Sequence, residues 1–96
     1  MQQKIQLLHP QGKKAISMDE LKYDMLKKSL IKSLKAEKEL AHKKIFQMIV
    51  KDLETNRIKF DGSVEWYLEW VKLDLEARKV IKRSIGKSGT IYSLVS

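Results

Sequence analysis

Lys82, Arg83, Lys87 and Ser88 stand on and beside a turn that contains Gly86 and Gly89. Cations, a hydroxyl and glycine-exposed backbone N–H groups gathered in one place can clamp phosphate oxygens, which makes these residues a candidate nucleic-acid contact. An ordinary basic hairpin has the same composition, because lysines on an edge strand keep it from pairing with a second chain. Lys43 and Lys44 can join such a surface, since they open a periodic helical segment and helix N-termini favour anions. Gly86-Lys87-Ser88 also ends like a phosphate-binding loop. That loop requires a glycine where Ile81 stands and a helix where a strand is expected, so the match fails on context.

Other chemistry is sparsely supported. The chain has no cysteine, which removes disulfides, thiolate zinc sites and thiol nucleophiles together and fits a reducing compartment. His9 falls in a turn and His42 near a helix start, with no spaced His, Cys or carboxylate set to complete a metal site, so solvated roles are expected for both. No serine has the surroundings of a nucleophile. The expectation is a protein that is not an enzyme and that uses no metal or small-molecule cofactor.

Charge limits the partners. Twenty lysines and arginines against 12 aspartates and glutamates give +8, a field that attracts polyanions without specifying one. Ninety-six residues suffice for one hydrophobic core, so residues 1–96 are read as a single domain. The opening Met-Gln-Gln-Lys holds no apolar segment of signal-peptide length and nothing approaches a membrane span; a cytoplasmic location and no membrane partner are expected.

The elements that must position these residues follow from spacing. Residues 4–16 read as a hairpin, with Pro10 and Gly12 suited to positions i+1 and i+3 of a turn. Ser17-Met18-Asp19-Glu20 matches a capping box, which predicts a helix from about Met18. Tyr23, Leu26, Leu30 and Leu34 give that helix an apolar face, and Lys28, Lys32 and Lys35 line the opposite side. Met18, Leu21 and Met25 break the basic side and require cover, for which the hairpin is the candidate. A second helix carries Ile45, Phe46, Ile49, Val50 and Leu53 on one face. Ser63 is the expected N-cap of a third, Val64 to about Arg78.

That third helix is apolar on two sides: Val64, Tyr67, Leu68, Val71 and Leu75 on one, Trp66, Trp70, Leu73 and Ala77 on the other. The Trp66, Trp70 and Leu73 face is either core under the N-terminal ribbon or an exposed patch that makes a homodimer contact. Its polar stripe, Glu65, Glu69, Lys72 and Glu76, is read as solvated, with Lys72 paired to Glu69 and Glu76. Three glutamates on one face repel a DNA backbone, so this helix is a poor major-groove reader. Residues 80–95 alternate as two strands about a glycine turn, a C-terminal hairpin.

Hairpin, three helices spanning 18–78 and a hairpin wing make an α+β chain of winged helix-turn-helix layout with an added N-terminal hairpin. Gly62-Ser63, Trp66-Tyr67, Val71-Lys72-Leu73-Asp74-Leu75-Glu76-Ala77-Arg78, Val80-Ile81-Lys82-Arg83 and the early Gly12-Lys13 turn resemble an uncharacterised family of small bacterial winged-helix proteins. The resemblance implies a fold and no activity. Lys79 stands where such sequences often carry glycine between helix and wing. Two readings stay open: DNA association through wing and helix-start lysines with weak sequence preference, or a protein-interaction or homodimerisation module built on Trp66, Trp70 and Leu73.

Overall fold

The computed structural model describes residues 3–60, 62–87 and 89–95. In chain order these form β1 (Lys4–Gln6), β2 (Ser17–Asp19), α1 (Glu20–Glu37), β3 (Glu39–Ala41), α2 (His42–Thr55), α3 (Val64–Ala77), β4 (Ile81–Gly86) and β5 (Gly89–Leu94). The architecture is α+β, with one antiparallel two-stranded sheet, β1-β2, and one antiparallel three-stranded sheet of order β3-β5-β4.

The N-terminal hairpin runs further along the chain than local pattern implies. Gln6 pairs Ser17, Ile5 pairs Met18 and Lys4 pairs Asp19. The expected capping box therefore does not form: Ser17 is in extended backbone, its Oγ donates to Gln6 Oε1 at 2.8 Å, and α1 starts at Glu20 with Asp19 as N-cap. Gln6 Nε2 donates to the carbonyls of Ala15 and Leu7 at 2.8 and 3.1 Å, and Gly12 N–H donates to His9 O at 2.9 Å to close the expected turn. The ribbon packs on α1 and buries Met18, while Leu21, expected beneath it, stays 65% exposed.

The core lies among the three helices. Tyr23, Leu26, Leu30 and Leu34 of α1 meet Ile45, Ile49 and Leu53 of α2 and Leu68, Val71 and Leu75 of α3. Leu7 and Met18 close it from the ribbon, and Leu40, Ile81 and Tyr92 from the larger sheet. Each fully buried leucine or isoleucine contributes about 1.5–3 kcal/mol by leaving water, enough to make this face of each helix the dominant folding signal.

Helix ends follow from backbone accounting. Ser63 Oγ accepts from Trp66 N–H at 3.2 Å and starts α3 as expected. At the other end Lys79 N–H bonds Glu76 O and Val80 N–H bonds Leu75 O, a Schellman closure that holds Lys79 at φ 64°. α2 ends in the same way, with Arg57 at φ 56° and Ile58 N–H on Leu53 O. β3 has no counterpart in the local pattern. Leu40 pairs Tyr92 and Ala41 pairs Ile91, so the short link between α1 and α2 becomes an edge strand beside β5.

Candidate functional site

Helical spacing places Lys28, Lys32 and Lys35 at i, i+4 and i+7, one above another on the outside of α1 because its apolar set takes the inside. They share an open groove with Ile31. A second groove continues from Lys35 to Lys38, Glu39, Lys82, Ser93 and Leu94. A third reaches from Lys32 across to Lys51 and Asp52 of α2. The three grooves are contiguous through Lys32 and Lys35, so six lysines from α1, its C-cap, α2 and β4 line one surface that contains two carboxylates.

One of those carboxylates, Asp52, is already engaged. It accepts from Ser29 Oγ at 2.9 Å, Lys32 Nζ at 3.2 Å and Asn56 Nδ2 at 3.1 Å. The Ser29 hydrogen bond, outweighing the opposing effect of burial and reinforced by Lys32 and Asn56, holds its carboxyl below the usual range. Lys32 remains 75% exposed despite this pair.

The residues singled out in the sequence are distributed differently. Lys82 joins the α1 lysines, whereas Arg83, pointing to the other face of β4, donates from Nε to Glu76 Oε1 at 2.8 Å and from Nη2 to Oε2 at 3.3 Å. Arg83 is thereby tied to α3 and its charge is matched. Lys87 is exposed in the turn between β4 and β5, and Ser88 lies outside the described residues. Lys43 and Lys44 are exposed in the first turn of α2. The structure thus brings Lys82 to Lys35 and Lys38, which local reading had not grouped with the wing. The signal for them was present in the seven-residue lysine spacing of α1.

The polar stripe of α3 is not uniformly solvated, which corrects the reading of Lys72. Its side chain is buried, at 3% exposure, with Nζ 2.5 Å from His42 Nδ1, 3.3 Å from Glu69 Oε1 and 3.3 Å from Tyr92 Oη, and 4.4 Å from the Tyr92 ring centroid. An ammonium at that distance requires Nδ1 to accept, which puts the imidazole proton on Nε2, facing Glu65 Oε2 at 3.6 Å. His42 is therefore half-buried, stacked on Phe46 and held between α2 and α3, where a solvated histidine had been expected. Of the expected partners of Lys72, Glu69 is present; Glu76 faces Arg83.

A second buried network lies deeper. Asp74, with no exposed surface, accepts from Leu8 N–H at 2.8 Å, from Arg78 Nε at 2.9 Å and from the Tyr23 hydroxyl. One carboxylate thus fastens the N-terminal hairpin, α1 and α3. Burial first, and the Asp74 hydrogen bond second, raise the Tyr23 hydroxyl well above its ordinary pKa.

Trp66 and Trp70 divide between the two open readings. Trp70 packs against the core, while Trp66 is 51% exposed, edge-to-face with Tyr67 at 5.0 Å and with Trp70 at 6.2 Å. Among the described residues no cluster of three histidine or carboxylate side chains is placed to hold a metal, and no helix is long and apolar enough to cross a membrane. No curated protein and no solved structure matches the chain. The model of a family of unknown function, DUF6958, matches residues 4–91, and the chain belongs to that family.

Proposed function

We propose that this protein is a non-catalytic, DNA-associated domain of winged-helix layout that holds the nucleic-acid backbone by charge. The observation that carries the reading is the run of Lys28, Lys32, Lys35, Lys38 and Lys82 along contiguous grooves, on a chain of net charge +8. The order α1–β3–α2–α3–β4–β5, with β3 paired to β5, supports the winged-helix layout. Three lysines at i, i+4 and i+7 span about 10 Å of helix, a length over which several phosphates of a duplex present themselves. The wing adds Lys87, whereas the Arg83–Glu76 pair leaves Arg83 little free charge for a phosphate.

Contacts of this kind recognise charge density and not base edges, so binding has weak sequence preference and strong salt dependence. The test is fluorescence anisotropy with two duplexes of unrelated sequence at several salt concentrations. Both duplexes are expected to bind alike at low salt, and each lysine-to-alanine change at Lys28, Lys35 or Lys82 is expected to lower the log–log salt slope by about 0.9. No binding at low salt, or a slope unmoved in the Lys28→Ala/Lys35→Ala/Lys82→Ala variant, would sink the proposal.

A further inference from the structure

The outer surface of α3 has the opposite chemistry to the lysine grooves. Trp66 leaves half of its indole in water, an arrangement that forgoes part of the burial a large aromatic ring normally gains. Tyr67 and Trp70 buttress it edge-on, so the ring is presented rather than free to turn. On the same helix Glu69, three residues on from Trp66, is its neighbour on the helix surface, and Glu65 lies beyond Glu69 on the same side, with side chains 54% and 58% exposed. Glu69 is anchored from behind by one oxygen, through the ammonium of Lys72, and Glu65 turns one oxygen toward His42. Glu69 Oε1 lies 3.3 Å from Lys72 Nζ and 3.2 Å from His42 Nδ1, and Glu65 Oε2 lies 3.6 Å from His42 Nε2. Buried Lys72 therefore holds the Glu69 carboxylate on the helix surface next to the exposed indole.

Charge complementarity selects the occupant. The same aromatic cluster already takes a cation from its own chain, since Lys22 Nζ sits 5.2 Å from the Tyr67 centroid and 5.4 Å from that of Phe60. Lys43 and Lys44, the nearest cations in sequence to His42, are turned about 100° and 200° round α2 from it and so point away from α3. A guanidinium can stack on an indole and fork onto a carboxylate at once, whereas an ammonium does the first less well and the second not at all.

We infer that Trp66, Glu65 and Glu69 form a docking surface for an arginine-bearing segment of a partner protein. The indole takes the guanidinium face and the carboxylates take its N–H groups. This surface is separate from the lysine grooves, so it stands or falls independently of DNA association.

The experiment is a tryptophan-fluorescence titration of the full chain with a capped peptide of arginines spaced by glycine, at low salt, with the lysine version as control. A chain of +8 repels such a peptide overall, so saturable binding reports a local site. The arginine peptide is expected to bind more tightly than the lysine peptide. Trp66→Ala, in which Trp70 still reports, is expected to weaken it roughly two- to fivefold, and Glu65→Gln/Glu69→Gln, which removes no packing, is expected to weaken it as well. Equal binding by wild type and both variants overturns the proposal, as does the absence of saturable binding. Two further results overturn it by naming another occupant. One is self-association in sedimentation that is lost both in Trp66→Ala and in Lys28→Ala/Lys32→Ala/Lys35→Ala, which assigns the face to a second copy. The other is a loss of single-stranded DNA binding in Trp66→Ala with peptide binding intact, which assigns it to a base.

Discussion

Lys72 Nζ lies 2.5 Å from His42 Nδ1, across 30 residues of sequence and between two helices. The contact joins the first residue of α2 to the middle of α3, and Tyr92 Oη at 3.3 Å extends it into β5. Three elements that meet nowhere in sequence are thus locked by one ammonium. Its long aliphatic stem lets the charge reach polar partners while the methylenes stay in the core.

Replacing Lys72 by Met should keep that packing and remove the donor. Glu69 is half-exposed and can be rehydrated, so the expected loss is about 1–2 kcal/mol and not the larger cost of stranding a fully buried ion. Urea denaturation of Lys72→Met, His42→Ala and the double variant checks it. Losses that simply add would show that the two side chains do not act together.

Asp74 should be the most sensitive polar position. With Asp74→Ala the Leu8 N–H, the Tyr23 hydroxyl and Arg78 lose their shared acceptor, at an expected cost of about 3 kcal/mol. That is a large fraction of the stability of a domain this size. A change in unfolding free energy under about 1 kcal/mol would show that the network does not hold the hairpin to the helices.

Tyr23 should make the fold sensitive to alkali. Burial and the Asp74 hydrogen bond raise its pKa, so the folded chain keeps a proton that the unfolded chain releases near the ordinary value of about 10. Its contribution is therefore intact below about pH 10 and is lost as pH rises beyond it. Denaturant midpoints should fall between about pH 9 and pH 11 in the wild type and fall less in Tyr23→Phe. An equal fall in both assigns alkaline unfolding to other groups.

Asp52→Asn should separate stability from binding. The carboxyl pKa is lowered in the fold, so its contribution is present above the unfolded value of about 3.9 and fades as pH falls through the folded one. Near neutral pH the variant is expected to lose about 1 kcal/mol, and at acid pH the difference should close. The same change frees Lys32 from its pair and is expected to tighten DNA binding. Weaker binding by a folded Asp52→Asn protein would count against the lysine grooves as the contact.

Lys79→Gly should stabilise the protein by about 0.5–1 kcal/mol, because the Schellman closure of α3 holds this residue at φ 64°, a conformation that glycine adopts without a Cβ clash. A rise in thermal midpoint is the readout. No rise would mean that the lysine side chain contributes contacts that match its backbone cost.

Periodicity determined a great deal by itself. Tyr23, Leu26, Leu30 and Leu34 mark the inner face of α1 because burying every third or fourth residue is the only way a helix can contribute to one core, and Ser63 announces α3 because orphan N–H groups at a helix start need a local acceptor. These are short-range constraints, and a chain carries them wherever it goes. Ser17 shows their limit. Its capping box is a local option that lost to a strand pairing with Gln6, which only the returning hairpin makes available. β3 exists because Leu40 meets Tyr92 from the far end of the chain, Arg83 is matched because α3 presents Glu76, and Lys72 is buried because His42 and Tyr92 receive its charge. Whether a charged side chain faces water depends on partners brought from elsewhere, and only the tertiary structure supplied them.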